Sequence, residues 1–222
     1  MPQTLRYIPW TVMAILAAFL AFITAKYLSF ETDINFLLVK GDLIFDPVWR
    51  PTFYLHVVSG ILVILIGPLQ LLKSFRKISW KLHRILGKIY AYGILVVGAP
   101  TGFIMAFYAE GGYWSSVSFF IMSALWFYTT LMAVLTVRRK EIIEHQKWMY
   151  RSYALSFAAV TLRLLMPTLS LSVIYPLLGN TDEEAAYVLI VATAWLSWMI
   201  NLTVAELIIA KKFKNKKTPQ KS

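Results

Sequence analysis

The stretch Val117–Val137, VSFFIMSALWFYTTLMAVLTV, decides how this chain is read. It carries no charged residue and is followed at once by Arg138, Arg139 and Lys140. A helix rises about 1.5 Å per residue, so a run of this length reaches across a hydrocarbon core of about 30 Å. A cationic cluster at its end is what stops such a helix from sliding further into lipid. The segment therefore predicts a transmembrane helix.

Five more runs of the same kind flank it. The expected spans are Tyr7–Leu28, Thr52–Leu72, Ile85–Phe107, Val117–Val137, Trp148–Ile174 and Ala185–Ala210. The first is too long for the apolar region of a secretory signal, about 7–15 residues, and only Arg6 precedes it as a basic residue, so it reads as an uncleaved span. The expectation is an all-α, polytopic membrane bundle of about six helices. It forms one transmembrane domain over residues 1–210, followed by a basic, polar, disordered tail over 211–222.

Composition agrees. Of 222 residues, 59% are hydrophobic and 15% charged, with a mean hydropathy of +0.63. Soluble domains carry about 45–50% apolar and about 25% charged residues. With no cysteine, disulfides, iron–sulfur clusters and thiolate-bound zinc are excluded.

The net charge of +11 would suggest a nucleic-acid partner if it were spread over one face. It is not. Lys73, Arg76, Lys77, Lys81, Arg84 and Lys88 cluster after the second span, and Arg138, Arg139, Lys140, Lys147 and Arg151 after the fourth. Lys211, Lys212, Lys214, Lys216, Lys217 and Lys221 follow the sixth. The alternate segments hold the acids Glu31, Asp33, Asp42 and Asp46, then Glu110, then Asp182, Glu183 and Glu184. Basic segments stay in the cytoplasm, so both termini are expected there. The charge becomes a topology signal and a contact for anionic lipid head groups, not for nucleic acid.

The chemistry-bearing residues are few. The three histidines all fall near span ends: His56 early in the second span, His83 at the start of the third, and His145 just before the fifth. His83 and His145 share a depth at the cytoplasmic side. Imidazoles at one depth can supply both axial ligands of a haem b. His56-Val-Val-Ser-Gly60 and His83-Arg-Ile-Leu-Gly87 each place a glycine one turn from a histidine on the same face. Such a glycine leaves room for a flat macrocycle, or simply for close helix packing. Arg84, Lys88, Lys147 and Arg151 lie near the two cytoplasmic histidines and suit haem propionates, although basic side chains are ordinary in cytoplasmic loops. Structural hydrogen bonding and proton handling are the competing roles for the histidines.

Arg163 stands about fifteen residues into the fifth span, about 22 Å beyond Trp148, with Pro167 one turn on. At that depth a guanidinium is expected to turn into the bundle and meet an anionic group, such as Glu110 or a bound anion, or carbonyls released by Pro167. Asn201 in the sixth span is expected to hydrogen-bond between helices. Trp80, Tyr113, Trp114 and Trp148 fall at span ends as an interfacial belt. No Walker A loop, GxGxxG, HExxH or GxSxG is present, which speaks against the soluble-enzyme classes.

Two resemblances follow. The helix and histidine layout resembles the six-helix transmembrane dihaem cytochromes b. In these the second and fourth helices hold one haem, and the third and fifth hold another near the cytoplasm. His56, His83 and His145 match three of the four ligand positions, while the fourth span has no histidine and offers Met122 at about the right depth. More specifically, HVVSGILVILIGPLQLL (56–72), KLHRILGKIYAYG (81–93) and EHQKWMYRSYALSFAAVTLRLLMP (144–167) resemble a bacterial family of predicted membrane proteins, domain of unknown function 2306. That resemblance implies a multi-pass protein of the bacterial cytoplasmic membrane and no particular activity. The first resemblance implies a b-type haem protein passing electrons, with a quinone or another redox partner. The alternative is a non-redox membrane protein, namely a small transporter, a sensor, or an assembly or structural subunit.

Overall fold

The computed structural model describes residues 8–174 and 183–214. Among these the regular structure is helical throughout, with no strand. The chain divides into two compact units, Met1–Met105 and Ala106–Ser222.

The first unit holds α1 (Ile8–Ala25), α2 (Trp49–Leu71), the short α3 (Lys73–Ile78) and α4 (Trp80–Tyr92). A π-helical turn over Gly93–Gly98 then leads into α5 (Ala99–Ala106). On α1 the large side chains Ile8, Val12, Ile15, Phe19 and Phe22 are exposed, whereas Ala17, Leu20 and Ala21 are buried. That stripe of large apolar residues facing outward, with small ones inward, is the pattern of a helix in lipid. The segment between α1 and α2 contains 3-10 turns, including Asn35–Phe45, and bends at Gly41 in the left-handed φ region (φ 51°). Lys26 and the buried Lys40 lie in this segment beside its acids, so the charge alternation is less clean than the acids alone suggest.

α2 and the α4–π–α5 span run antiparallel along one seam of α2. His56 meets Gly98 and Thr101, and a Cβ on Gly93 would stand 3.4 Å from Val63 Cγ2. A Cβ on Gly87 would stand 3.4 Å from Gln70 Oε1. His56, Val63 and Gln70 recur every seven residues, the period that keeps one stripe of a helix on its neighbour. The π turn has a local cause: Pro100 has no N–H to close an α turn on Val96.

The second unit holds α6 (Gly112–Arg138), α7 (Ile142–Ser156), α8 (Ala158–Leu169), a π turn over Ser170–Ile174, and α9 (Glu183–Phe213). Its interior is lined with hydroxyls. Ser115, Ser118, Ser123, Thr130, Ser152, Thr193 and Ser197 are all buried. Trp126 Nε1 donates to Ser156 Oγ at 2.9 Å, and Thr130 and Ser152 hydroxyls pair at 2.7 Å. Trp198 Nε1 donates to Ser118 Oγ at 2.9 Å, which itself donates to the Ala194 carbonyl at 3.0 Å. On α9 the outward face is Met199, Ile200, Val204, Leu207 and Ile208.

By length and composition, five helices can cross a membrane: Ile8–Ser29, Trp49–Leu71, Trp80–Ala106, Gly112–Arg138 and Glu183–Phe213. The pair Ile142–Ser156 and Ala158–Ser172 passes the same test only when taken together, bent by 41°, so the total among the described residues is five or, with that pair as one span, six. Each expected span has a helix or this helix pair at its place, with shifted ends. The third starts at Trp80, because its charged first turn, Lys81-Leu82-His83-Arg84, is helical although not apolar, and the fourth starts at Gly112. Ser79 caps α4 by accepting from Leu82 N at 3.1 Å. The fifth begins at Ile142, so His145 lies on the helix rather than before it. The sixth runs to Phe213, three residues into the expected tail. The expected start at Tyr7, the acid Asp182 and the tail beyond Lys214 lie outside the described residues.

The bend in the fifth span falls at Phe157 and not at Pro167. Asn201 Nδ2 donates to the Ala154 carbonyl at 3.1 Å on one side of the break. On the other side its Oδ1 accepts from Thr161 Oγ1 at 2.9 Å. Asn201 is thus interhelical glue as expected, placed where a helix break makes a carbonyl accessible.

Candidate functional site

His56 sits on the inner side of α2, where its Nδ1 is 3.1 Å from the Gly98 carbonyl and 3.1 Å from Thr101 Oγ1. A carbonyl only accepts, so Nδ1 carries the proton. Thr101 spends its own proton on the Val97 carbonyl at 2.7 Å and so also faces His56 as an acceptor. The neutral ring therefore bears its lone pair on Nε2. A Cβ on Gly60, one turn along, would meet nothing within 4 Å. That glycine opens space rather than admitting a neighbouring helix. π turns of the kind that present Gly98 are concentrated at functional sites.

His145 repeats the arrangement in the second unit. Its Nδ1 donates to the Ala133 carbonyl of α6 at 2.8 Å, and Nε2 is again the lone-pair nitrogen of the neutral form. An imidazole held through Nδ1 by a backbone carbonyl is the usual posture of an iron or zinc ligand. His83, in the first unit, meets the edge of the Trp80 ring at 5.7 Å between centroids. One turn further on the same face is Gly87, which lies against Gln70. Among the described residues no cluster of three or more His, Cys, Asp or Glu could hold a bare metal ion. The donors present suit a group that needs only one or two protein ligands, as haem does.

Three expected site residues do other work. Arg151 is committed to Glu206 of α9, with Nε 2.5 Å from Oε1 and Nη2 2.9 Å from Oε2, and its guanidinium lies 4.5 Å from the Trp148 ring centre. A fork bound to a carboxylate on two points is poorly placed to serve a propionate. Glu206 thus takes up the Arg151 cation. Lys147 pairs with Glu144 at 2.7 Å. Arg84 and Lys88 remain exposed on α4. Arg163 is exposed rather than turned inward, and its Nη1 donates to the Ala159 carbonyl one turn back at 3.0 Å. A guanidinium can be solvated by its own helix in this way, which lowers the cost that an interior partner was expected to offset. Met122 is half-buried on α6.

Gly98, Thr101, Gln70 and the Ala133 carbonyl were not anticipated. Backbone carbonyls leave no sequence signal. Gln70 does: it is the third member of the seven-residue series His56, Val63, Gln70.

Apolar spans with small, hydroxylated inner faces and large apolar outer faces define a multi-pass membrane protein. A family model described as predicted membrane protein (DUF2306) matches residues 53–209, and the chain belongs to that family. No curated protein and no solved structure matches it.

Proposed function

We propose that this protein binds b-type haem and passes electrons within the membrane, with His145 and His83, each within its own unit, as candidate iron ligands. The observation that carries the reading is the His145 Nδ1–Ala133 hydrogen bond, which sets the tautomer and aim of a neutral imidazole. Bound haem supplies one-electron chemistry. The chain's own part is to hold the ring nitrogens in place, to exclude water with apolar spans, and to offer Arg84 and Lys88 to the propionates. His56 is held in the same posture and is a candidate for a second ligand position. A quinone or another redox partner is the electron donor or acceptor in this reading. The membrane is the bacterial cytoplasmic one, with basic segments facing inward onto anionic lipid head groups. Reporter fusions at Trp80, His145 and Lys217 should all give cytoplasmic signals, and a periplasmic signal at any of them overturns the orientation.

The test of the cofactor is an absorption spectrum of protein purified from haem-replete cells. A Soret band lost in His145→Ala and His83→Ala supports the proposal, and a colourless wild-type protein sinks it. The competing reading is a non-redox transporter, sensor or assembly subunit. It is favoured by the way Arg151–Glu206 and His56–Gly98 satisfy polar groups internally, as a purely structural role requires.

A further inference from the structure

At the basic end of α7 and α9, three cations among the described residues stand over aromatic rings. The Arg151 guanidinium lies 4.5 Å from the centre of the Trp148 ring, and Lys147 Nζ lies 5.9 Å from that of Phe213. Lys212 Nζ lies 4.6 Å from the centre of the Tyr150 ring and 5.6 Å from that of Phe213. Two of the three are matched by a carboxylate, Arg151 by Glu206 and Lys147 by Glu144. Lys212 has no such partner among the described residues. A ring face attracts a cation but does not neutralise it.

The Lys212 ammonium donates one hydrogen bond, to Tyr150 Oη. An ammonium has three N–H donors, so two remain. The Tyr150 oxygen is the acceptor in that bond, and its own O–H finds no acceptor among the described residues. Both side chains are half-buried, so the place is open to a ligand. Two donors side by side, one of them charged and without an anion, suit an oxyanion with more than one acceptor oxygen. The surroundings show where it would come from. Lys212 stands in the last turn of α9, a helix long and apolar enough to cross a membrane. Ile208, one turn back on the same face, and Val204, two turns back, are exposed and apolar. An acyl chain laid along them would hold its phosphate at Lys212.

We propose that Lys212 and Tyr150 form a site for the phosphodiester of an anionic bilayer phospholipid, with the Lys212 ammonium and the Tyr150 O–H donating to its free oxygens. The Tyr150 and Phe213 rings hold the ammonium in position. The site rests on the lipid contact proposed for the basic segments and narrows it from a diffuse attraction to one pair of side chains. It involves neither the histidines nor haem.

The experiment is thermal denaturation of full-length protein in a neutral detergent, with dioleoyl phosphatidylglycerol, dioleoyl phosphatidylcholine or inorganic phosphate added. Phosphatidylglycerol should raise the melting temperature of the wild type by several degrees. Phosphatidylcholine, whose phosphate is matched by its own cation, should raise it less. Lys212→Gln should abolish the rise. Tyr150→Phe keeps the ring, removes only the O–H and should shrink the rise. The double variant Lys211→Gln, Lys214→Gln removes two exposed charges beside the pair and should keep most of it. Each variant is compared with itself without lipid, so a change in basal stability does not obscure the response. If phosphatidylglycerol leaves the wild type unchanged, the lipid contact and the site fall together. The lipid contact stands and the site is overturned if Lys212→Gln and Tyr150→Phe respond like wild type, or if the double variant loses the rise as fully as Lys212→Gln. An equal rise with inorganic phosphate moves the ligand out of the bilayer and also overturns the proposal.

Discussion

The two units of this chain handle buried polarity differently. In Ala106–Ser222 the inner faces of α6, α7, α8 and α9 are tied by paired hydroxyls, indole N–H donors and the Asn201 amide. In Met1–Met105 the inner faces meet through glycines and aromatic rings, such as Trp49 stacked on Phe53 and Tyr27 edge-on to Phe53, with hydrogen bonds from His56 to Gly98 and from Trp10 Nε1 to the Pro68 carbonyl. There Thr24 Oγ1, Trp49 Nε1 and Gln70 Nε2 are buried without a partner among the described residues, against Ser115 Oγ alone in the second unit. A polar group whose bonds are complete contributes to stability. One whose bonds are incomplete costs stability and is retained for something else. The inner polar groups of the second unit are thus more fully bonded within the fold than those of the first.

Substitutions can break that contrast. The largest expected effect is Trp126→Ala, which removes a buried indole and its bond to Ser156; a loss of about 3–5 kcal/mol should show as a markedly lower melting temperature. Asn201→Leu comes next. It deletes one bond on each side of the Phe157 break, and interhelical bonds in membranes average about 0.6 and reach about 1.7 kcal/mol each, so a loss of about 1–2 kcal/mol is expected. If Gln70→Leu costs as much as Asn201→Leu in the same assay, the two units do not differ as described. Glu206→Gln should cost about 0–1 kcal/mol, because its side chain is half exposed and the pair is screened. Its melting temperature should approach that of wild type as salt is raised, and a salt-independent deficit would mean that the fork geometry matters more than charge. The smallest effect is expected for Gly60→Ala, which adds a methyl where nothing stands within 4 Å. Stability should be unchanged, while any haem spectrum that depends on His56 should shift.

Arg163 shows where reading from sequence reaches its limit. Its depth along the fifth span was legible, yet its direction was not. Rotational position depends on the bend at Phe157, and nothing in the local sequence marks that residue as a break. The bend is instead held by Asn201, forty residues away from Thr161. Arg151 is a similar case. Its place at the basic end was clear, but its partner Glu206 lies 55 residues on, and only packing of α9 on α7 brings them together.

What the sequence determined by itself is the membrane class, the number of spans and the three histidines near their ends. Those depend on summed transfer free energy and on helical rise, which are local and additive along the chain. Only the tertiary structure decided which ring nitrogen of His56 and His145 carries the proton, that Arg151 is already engaged, and that Gln70 is left short of an acceptor. Each of those depends on a carbonyl, carboxylate or gap contributed by another helix. Hydrogen bonds are directional and short-ranged, so they are settled only when the helices have packed.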